Sequence, residues 1–222
     1  MGLNQHQKSI LMKNAKKIIN LPVQKPQLQP QTANAAWFFN ADRVDNWAYW
    51  NGVFTPQECK EIIKLGEQKI LEKATVIDNK IILDTRDSQV SWLYSADNMQ
   101  WAYQKVTDVI TSLNNQFFKF ELFGFAEGFQ FTKYEAPSGF YGAHIDKWLN
   151  GPVRKLSLTI QLSDPDDYEG GELVLNIGEE TIMAKEQGKL VCFPSYVLHE
   201  VRPVTKGTRY SLVAWITGTP FK

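Results

Sequence analysis

Histidine and cysteine are scarce in this 222-residue chain, which has three of the first (His6, His144, His199) and two of the second (Cys59, Cys192). The cysteines show no Cys-x-x-Cys spacing and fall in an expected helix and an expected strand. They read as two reduced packing thiols, which points to an intracellular, cytoplasmic protein. Excess charge of either sign is also missing, with 24 Lys plus Arg against 24 Asp plus Glu, so no overall basic field argues for non-specific nucleic-acid binding. No stretch is long and apolar enough to span a bilayer. The first residues, Met1 to Leu21, are interrupted by Lys8, Lys13, Lys16 and Lys17 and hold no signal-peptide core. His6 stands where myristoylation prefers Ser or Thr. What these absences leave is a soluble globular chain, long enough for one large domain with a sizeable core.

The domain is expected over 36–222. Residues 8–20 suit a short basic helix, and the Pro- and Gln-rich run from Pro22 to Ala33 has no core-forming period, so residues 1–35 read as a leader, extended or partly disordered. A dense aromatic segment follows, from Trp37, Phe38 and Phe39 to Trp47, Tyr49, Trp50 and Phe54, suited to one or two strands with Asn51-Gly52 as a turn. Thr55-Pro56-Gln57-Glu58 has the form of a capping box, with a hydroxyl at the N-cap, proline at the first helical position and glutamate at the third. That helix carries Cys59, Ile62, Ile63 and Gly66 at helical spacing and ends near Leu71. Val76 to Leu83 suits either a strand pair or a substrate-facing loop. A second helix, Asp97 to Phe117, turns Ala102, Val106, Val109, Ile110, Leu113 and Phe117 to one side for core packing. Helical support thus spans about 55–117.

Beyond Phe117 the period changes to two. Leu122 to Tyr134 reads as one strand, with Phe125, Phe129 and Phe131 on one face and Gln130, Thr132 and Tyr134 on the other, a polar lining that can look into a pocket. Leu156, Leu158, Ile160 and Leu162 alternate with Ser157, Thr159 and Gln161 in the same manner. Asp164 to Gly171 is an acidic turn, Glu172 to Ile177 and Glu180 to Met183 suit a hairpin, Lys189 to Phe193 is a buried strand, and Arg209 to Thr217 is the last. Many short strands separated by Gly, Pro and Asp turns predict a mainly β core over about 118–217, as a sandwich, jelly roll or barrel.

Chemistry concentrates at Gly142-Ala143-His144-Ile145-Asp146-Lys147-Trp148. His144 and Asp146 leave the same face of an extended segment and can point at one spot. Two ligands do not close a metal site, and with His6 in the leader the natural third is His199. A two-histidine, one-carboxylate set with open positions is the pattern of non-heme Fe(II) oxygenases. Alone, a His-x-Asp pair is no rarer than composition allows, and core histidines are the competing reading. His199, however, follows an apolar strand and Pro194-Ser195, near the start of another extended segment. Ten residues later Arg209 lies in an otherwise apolar strand, where a guanidinium is costly to bury without an anionic partner.

Taken in order, Tyr134, His144-x-Asp146, Gly170-Gly171-Glu172-Leu173, Phe193-Pro194-Ser195, His199 and Gly207-Thr208-Arg209-Tyr210-Ser211-Leu212 resemble the Fe(II)- and 2-oxoglutarate-dependent dioxygenases, and among them the prolyl 4-hydroxylase type. The resemblance covers about residues 122–217, with weaker agreement upstream through Arg86, Ser88 and Trp92. It implies a double-stranded β-helix core (jelly-roll, cupin-like) supported by N-terminal α-helices. It further implies that His144, Asp146 and His199 hold Fe(II) as the catalytic centre and that Arg209 anchors the distal carboxylate of 2-oxoglutarate, joined by the Tyr134 hydroxyl. A planar guanidinium suits that task because its fork meets a carboxylate with two parallel hydrogen bonds.

The implied reaction decarboxylates 2-oxoglutarate to succinate and CO2 while O2 hydroxylates a C–H bond, with ascorbate as reductant. The implied acceptor is a proline in a peptide or protein. Another residue or a small metabolite is the runner-up, and collagen-like acceptors are disfavoured because collagen-type members use lysine where Arg209 stands. No interleaved basic and aromatic run argues for a nucleobase. A reading of another class, a jelly-roll binding module without catalysis, has no need of the triad and Arg209 together. Arg86 and Trp92 read as a salt bridge and a core aromatic, or alternatively as substrate-facing. Gly170-Gly171 allows a tight strand entry, Pro194 a turn, and Trp215 packing against the core or the cosubstrate wall.

Overall fold

The capping box closes as its sequence predicts. In the computed structural model of the chain, which describes residues 44–74, 85–147 and 151–221, the Thr55 hydroxyl accepts from the Glu58 amide at 3.3 Å and the Glu58 carboxylate accepts from the Thr55 amide at 2.8 Å. The expectations for 1–35, for Trp37 to Phe39 and for Val76 to Leu83 lie outside the described residues. Strand β1 (Ala48–Trp50) precedes the box, and helix α1 (Pro56–Gln68) follows it. Next come β2 (Glu72–Lys73), β3 (Arg86–Asp87), β4 (Gln89–Leu93) and helix α2 (Gln100–Leu113).

Helix α2 starts later than its apolar stripe predicts, and a π-turn over Asn114–Phe118 carries it to the expected end. Asp97 and Asn98 leave helical geometry because the Asp97 carboxylate accepts from the Tyr94 amide at 2.8 Å and also pairs with Lys69. At the far end Asn114 uses its side-chain amide to hold both the Phe120 amide and its carbonyl, and the last turn stops at Lys119 with φ 56°.

The remaining strands are β5 (Leu122–Phe125), β6 (Phe129–Glu135), β7 (Phe140–His144), β8 (Arg154–Gln161), β9 (Tyr168–Gly170), β10 (Leu173–Asn176), β11 (Glu180–Ile182), β12 (Leu190–Pro194), β13 (Leu198–Val201) and β14 (Val204–Gly218). The segment read as one strand from Leu122 to Tyr134 is therefore two. Both halves pair with β14, Phe125 opposite Ile216 and Gln130 opposite Val213, so two residues are extra on the β5–β6 side. An even number of extra residues preserves the alternation, which is why the break is silent in the pattern. Strand β14 in turn starts five residues before Arg209, because Val204 to Gly207 pair with β9.

The strands form two sheets. One has nine strands along β1-β12-β8-β14-β6-β4-β2, with β5 and β9 attached to β14. The other has five, in the order β11-β10-β13-β7-β3. This is the double-stranded β-helix expected. Both helices pack on the outer face of the large sheet. Tyr103 of α2 stacks on Phe129 with centroids 3.8 Å apart, and α1 approaches so closely at Gly66 that a Cβ there would sit 2.4 Å from the Phe131 ring. Leu156, Leu158 and Ile160 on β8 are fully buried. The alternation then sends Gln130, Thr132, Tyr134, Ser157, Thr159 and Gln161 inward, as their polar faces predict. Cys59 and Cys192 are free and buried, and burial pushes the Cys59 thiol up to about 12. Among the described residues no helix is long and apolar enough to cross a membrane.

Candidate metal centre and its pocket

His144 ends β7 and His199 lies in β13, and the two are direct cross-strand partners. Their rings stand 4.2 Å apart, centroid to centroid. Asp146 follows two residues beyond His144, its backbone amide held by the Ser195 carbonyl at 2.9 Å. One ligand atom from each of the three side chains lies within 4.8 Å of the others. The nearest approaches are 3.7 Å from His144 Nε2 to Asp146 Oδ1 and 3.4 Å from His199 Nε2 to Asp146 Oδ2.

The local hydrogen bonds decide which nitrogens are available. His144 Nδ1 meets the Gly142 carbonyl at 2.8 Å, and His199 Nδ1 meets the Val197 carbonyl at 3.0 Å. A carbonyl only accepts, so each Nδ1 carries the proton and each Nε2 presents its lone pair to the shared spot. Burial, reinforced by His199, pushes His144 down to about 4. For Asp146, burial works toward protonation, but the two histidines, a 2.7 Å hydrogen bond from the Ser157 hydroxyl and the nearby Trp215 indole outweigh it and keep the carboxyl below its usual range. Two imidazole lone pairs and a carboxylate converging on one side only fit a divalent transition metal with open positions, and the carbonyl and hydroxyl partners are the outer-shell contacts such ligands require. Core histidines have no reason to converge in this way.

Arg209 lies on β14, 2 % exposed and directly across from Tyr134 on β6. Gly171, at φ +64°, leaves room for it; a Cβ there would lie 2.9 Å from the Arg209 side chain. Among the described residues the guanidinium meets no carboxylate. It has the Ser211 hydroxyl at 3.5 Å and the Tyr134 ring centroid at 5.3 Å. Tyr168 shares this pocket: burial raises its pKa while the Arg209 charge opposes the rise, and its hydroxyl oxygen accepts from Gln161 Nε2 at 2.7 Å. That leaves the Tyr168 proton free to donate. A buried guanidinium beside a hydroxyl donor, with no acid among the described residues, has the chemistry to hold a carboxylate.

Sequence reasoning missed four residues here. Ser157 and Gln161 carried a signal, the polar alternation of β8. Tyr168 carried none, sitting at the end of what reads as an acidic turn. Tyr141 also belongs to the site, its ring stacked on His144 at 3.6 Å. Trp215 and half-buried Trp92 stand on the same inner face, 6.3 Å apart, with the Arg154 guanidinium 3.9 Å over the Trp215 ring and paired to Glu127 at 2.7 Å. Of the two readings for Arg86, the salt bridge has no counterpart among the described residues. Arg86 is 8 % exposed, and its partners are the Ser88 hydroxyl, the Gln130 side-chain carbonyl and the Tyr141 ring.

The model of the 2OG-Fe(II) oxygenase superfamily matches residues 129–217. The PKHD-type hydroxylase YbiX of Escherichia coli is 33 % identical over 176 residues, covering 74 % of this chain and 75 % of its own. Among solved structures, a prolyl-4-hydroxylase of Pseudomonas putida superposes with a TM-score of 0.63 at 21 % identity, over 79 % of this chain and 94 % of its own. A Trichoplax adhaerens prolyl hydroxylase, solved with a peptide fragment of the hypoxia inducible factor oxygen degradation domain, gives 0.66 at 17 % identity over 78 % and 84 %. At these identities the structural matches speak for the fold.

Proposed function

The chain belongs to the 2OG-Fe(II) oxygenase superfamily and is a 2-oxoglutarate-dependent dioxygenase, and on that premise we propose that it hydroxylates a prolyl residue in a peptide or protein, with His144, Asp146 and His199 as the iron ligands. The observation that carries the ligand assignment is the convergence of two Nε2 lone pairs and one carboxylate on one spot. When bound, Fe(II) supplies with O2 and 2-oxoglutarate the oxidising power for the C–H bond, one oxygen atom entering succinate as CO2 leaves and the other entering the product hydroxyl.

The protein's own part is positioning. The Gly142 and Val197 carbonyls fix the imidazole planes, and Ser157 fixes the Asp146 carboxylate. Arg209 holds the far carboxylate of 2-oxoglutarate, with the Tyr168 hydroxyl as a second donor and Tyr134 on the opposite strand closing the wall. Two supports favour proline as the acceptor. The fold neighbours include prolyl hydroxylases, one of them in complex with a peptide, and Tyr141, Trp215 and Trp92 give the metal end aromatic walls of the kind that proline-containing extended peptides dock against.

Incubating proline-containing peptide libraries with the chain, Fe(II), ascorbate and 2-oxoglutarate should give a gain of one oxygen in mass spectra that disappears when 2-oxoglutarate is omitted. Succinate production without any modified prolyl peptide would move the acceptor to another residue or a small metabolite.

A further inference from the structure

The barrel contains a second buried guanidinium, Arg86, that meets no acid among the described residues. In the reading above, Arg209 holds the far carboxylate of 2-oxoglutarate. Arg86 lies elsewhere, at the metal end. It reaches Gln130 on β6, four residues along the strand from Tyr134, the cross-strand partner of Arg209, which is roughly 13 Å of strand. Its carbon lies 4.3 Å over the Tyr141 ring, whose other neighbour is His144 at 3.6 Å.

The hydrogen-bond count of Arg86 is incomplete. Nε donates to Ser88 Oγ at 2.8 Å and Nη2 to Gln130 Oε1 at 3.1 Å, so three of the five N–H groups of the guanidinium have no hydrogen-bond partner among the described residues. Both partners are neutral. The Tyr141 face offsets part of the desolvation through its quadrupole, but a guanidinium that is 8 % exposed, with no carboxylate partner among the described residues, is held at a cost. Arg154, on the same rim, shows the contrast: Glu127 takes it with bonds of 2.7 and 2.9 Å, which neutralises it as an anion receptor. Glu127 closes Arg154, whereas Arg86 has no carboxylate partner among the described residues.

Building on the dioxygenase reading, we infer that Arg86 binds a carboxylate of the hydroxylated substrate, placed beside the carbon that reacts. Ser88 and Gln130 orient the fork, Tyr141 supports its plane, and the free N–H edge receives the acid in a two-point contact. In a peptide the acid is an Asp or Glu side chain next to the target residue; in a free imino or amino acid it is the α-carboxylate.

Acid and amide pairs separate these cases. Calorimetry under nitrogen with Mn(II) and 2-oxoglutarate present would compare peptides carrying Asp or Asn beside proline, free L-proline against L-prolinamide, and matching non-prolyl pairs. The acid member of at least one pair should bind about tenfold more tightly than its amide. Arg86→Gln should erase that ratio and Arg86→Lys should keep part of it, while both variants retain 2-oxoglutarate affinity, which also reports that they are folded. Equal binding of acid and amide in every pair, or no binding by any member, would overturn the inference. So would a loss of 2-oxoglutarate affinity in folded Arg86→Gln equal to the loss of substrate preference, since the guanidinium would then serve the cosubstrate. Discrimination confined to non-prolyl pairs would sink the proline reading and leave this one standing.

Discussion

The two sheets of the barrel are built to different standards. The nine-stranded sheet is buried on both faces, by α1 and α2 outside and by the polar pocket inside, and its β8 residues Leu156, Leu158 and Ile160 are inaccessible to solvent. The five-stranded sheet has one covered face; on the other, Leu198 and Ile182 are 41 % and 56 % exposed. The thick sheet carries Arg209, Tyr134, Ser157 and Gln161, and the thin one ends in His144 and His199. The proposed receptor for the diacid thus sits on the sheet that the helices cover. The proposed metal ligands rely instead on short-range pins: the two Nδ1 contacts, the Asp146 amide on Ser195 and the Gly142 amide on the Thr85 carbonyl. Stability and metal chemistry should accordingly be separable by mutation.

The sharpest way to break that separation is Asp146→Ala. It should abolish 2-oxoglutarate consumption and lower Mn(II) affinity by at least about a hundredfold, since loss of outer contacts alone costs ten- to a hundredfold, while shifting the urea unfolding free energy by about 1 kcal/mol or less. Retained turnover would remove Asp146 from the metal centre. A large stability loss would show that the thin sheet depends on its site residues to fold. The converse change is Phe131→Ala, on the outer face of the thick sheet and fully buried against Tyr210 and Gly66. It should cost about 3–5 kcal/mol in urea titration and leave 2-oxoglutarate binding intact in the folded fraction.

The same division explains what could be read from the sequence. Where a face is buried along a whole strand, alternation is enforced residue by residue, so Gln130, Thr132 and Tyr134 on β6 and Ser157, Thr159 and Gln161 on β8 declare their inward side. The Thr55 to Glu58 box is legible because its two hydrogen bonds are local. Non-local encounters left no such trace. Tyr168 reaches Arg209 only through the turn at Gly170-Gly171 and the pairing of β9 with β14. Arg86 meets Tyr141 because β3 pairs with β7, 55 residues downstream by number, and nothing in either segment announces the contact. The break at Ala126 to Gly128 stayed hidden because it preserves parity.

A smaller effect sharpens the assignment of the deep end of the pocket. Arg209→Met keeps the length of the side chain and removes its charge and donors. It should weaken 2-oxoglutarate binding by about ten- to a hundredfold, the range of a charged hydrogen-bond pair, with Mn(II) affinity unchanged in the absence of cosubstrate. Tyr168→Phe should produce a fraction of that loss. If calorimetry finds cosubstrate affinity untouched in Arg209→Met, the acid-free guanidinium has another ligand.

The smallest effect lies at the start of α1, where the helical support meets the thick sheet. Burial pulls the Glu58 pKa upward, but the Lys105 ammonium and the Thr55 amide outweigh it and hold the carboxylate below its ordinary 4.5. A carboxyl depressed by folding stabilises the native state fully above its unfolded pKa, and that contribution is lost as pH falls through the folded value. Glu58→Gln keeps a side-chain acceptor for the capping box and removes the charge. At pH 7 it should be less stable than the parent by about 0.5 kcal/mol, in keeping with a partly exposed ion pair at a helix N-terminus. The gap should begin to close below about pH 4.5, as the parent's own carboxyl takes up its proton on unfolding. A gap independent of pH in urea titrations would assign the loss to altered capping geometry, and no gap at pH 7 would mean that Lys105 contributes nothing through Glu58.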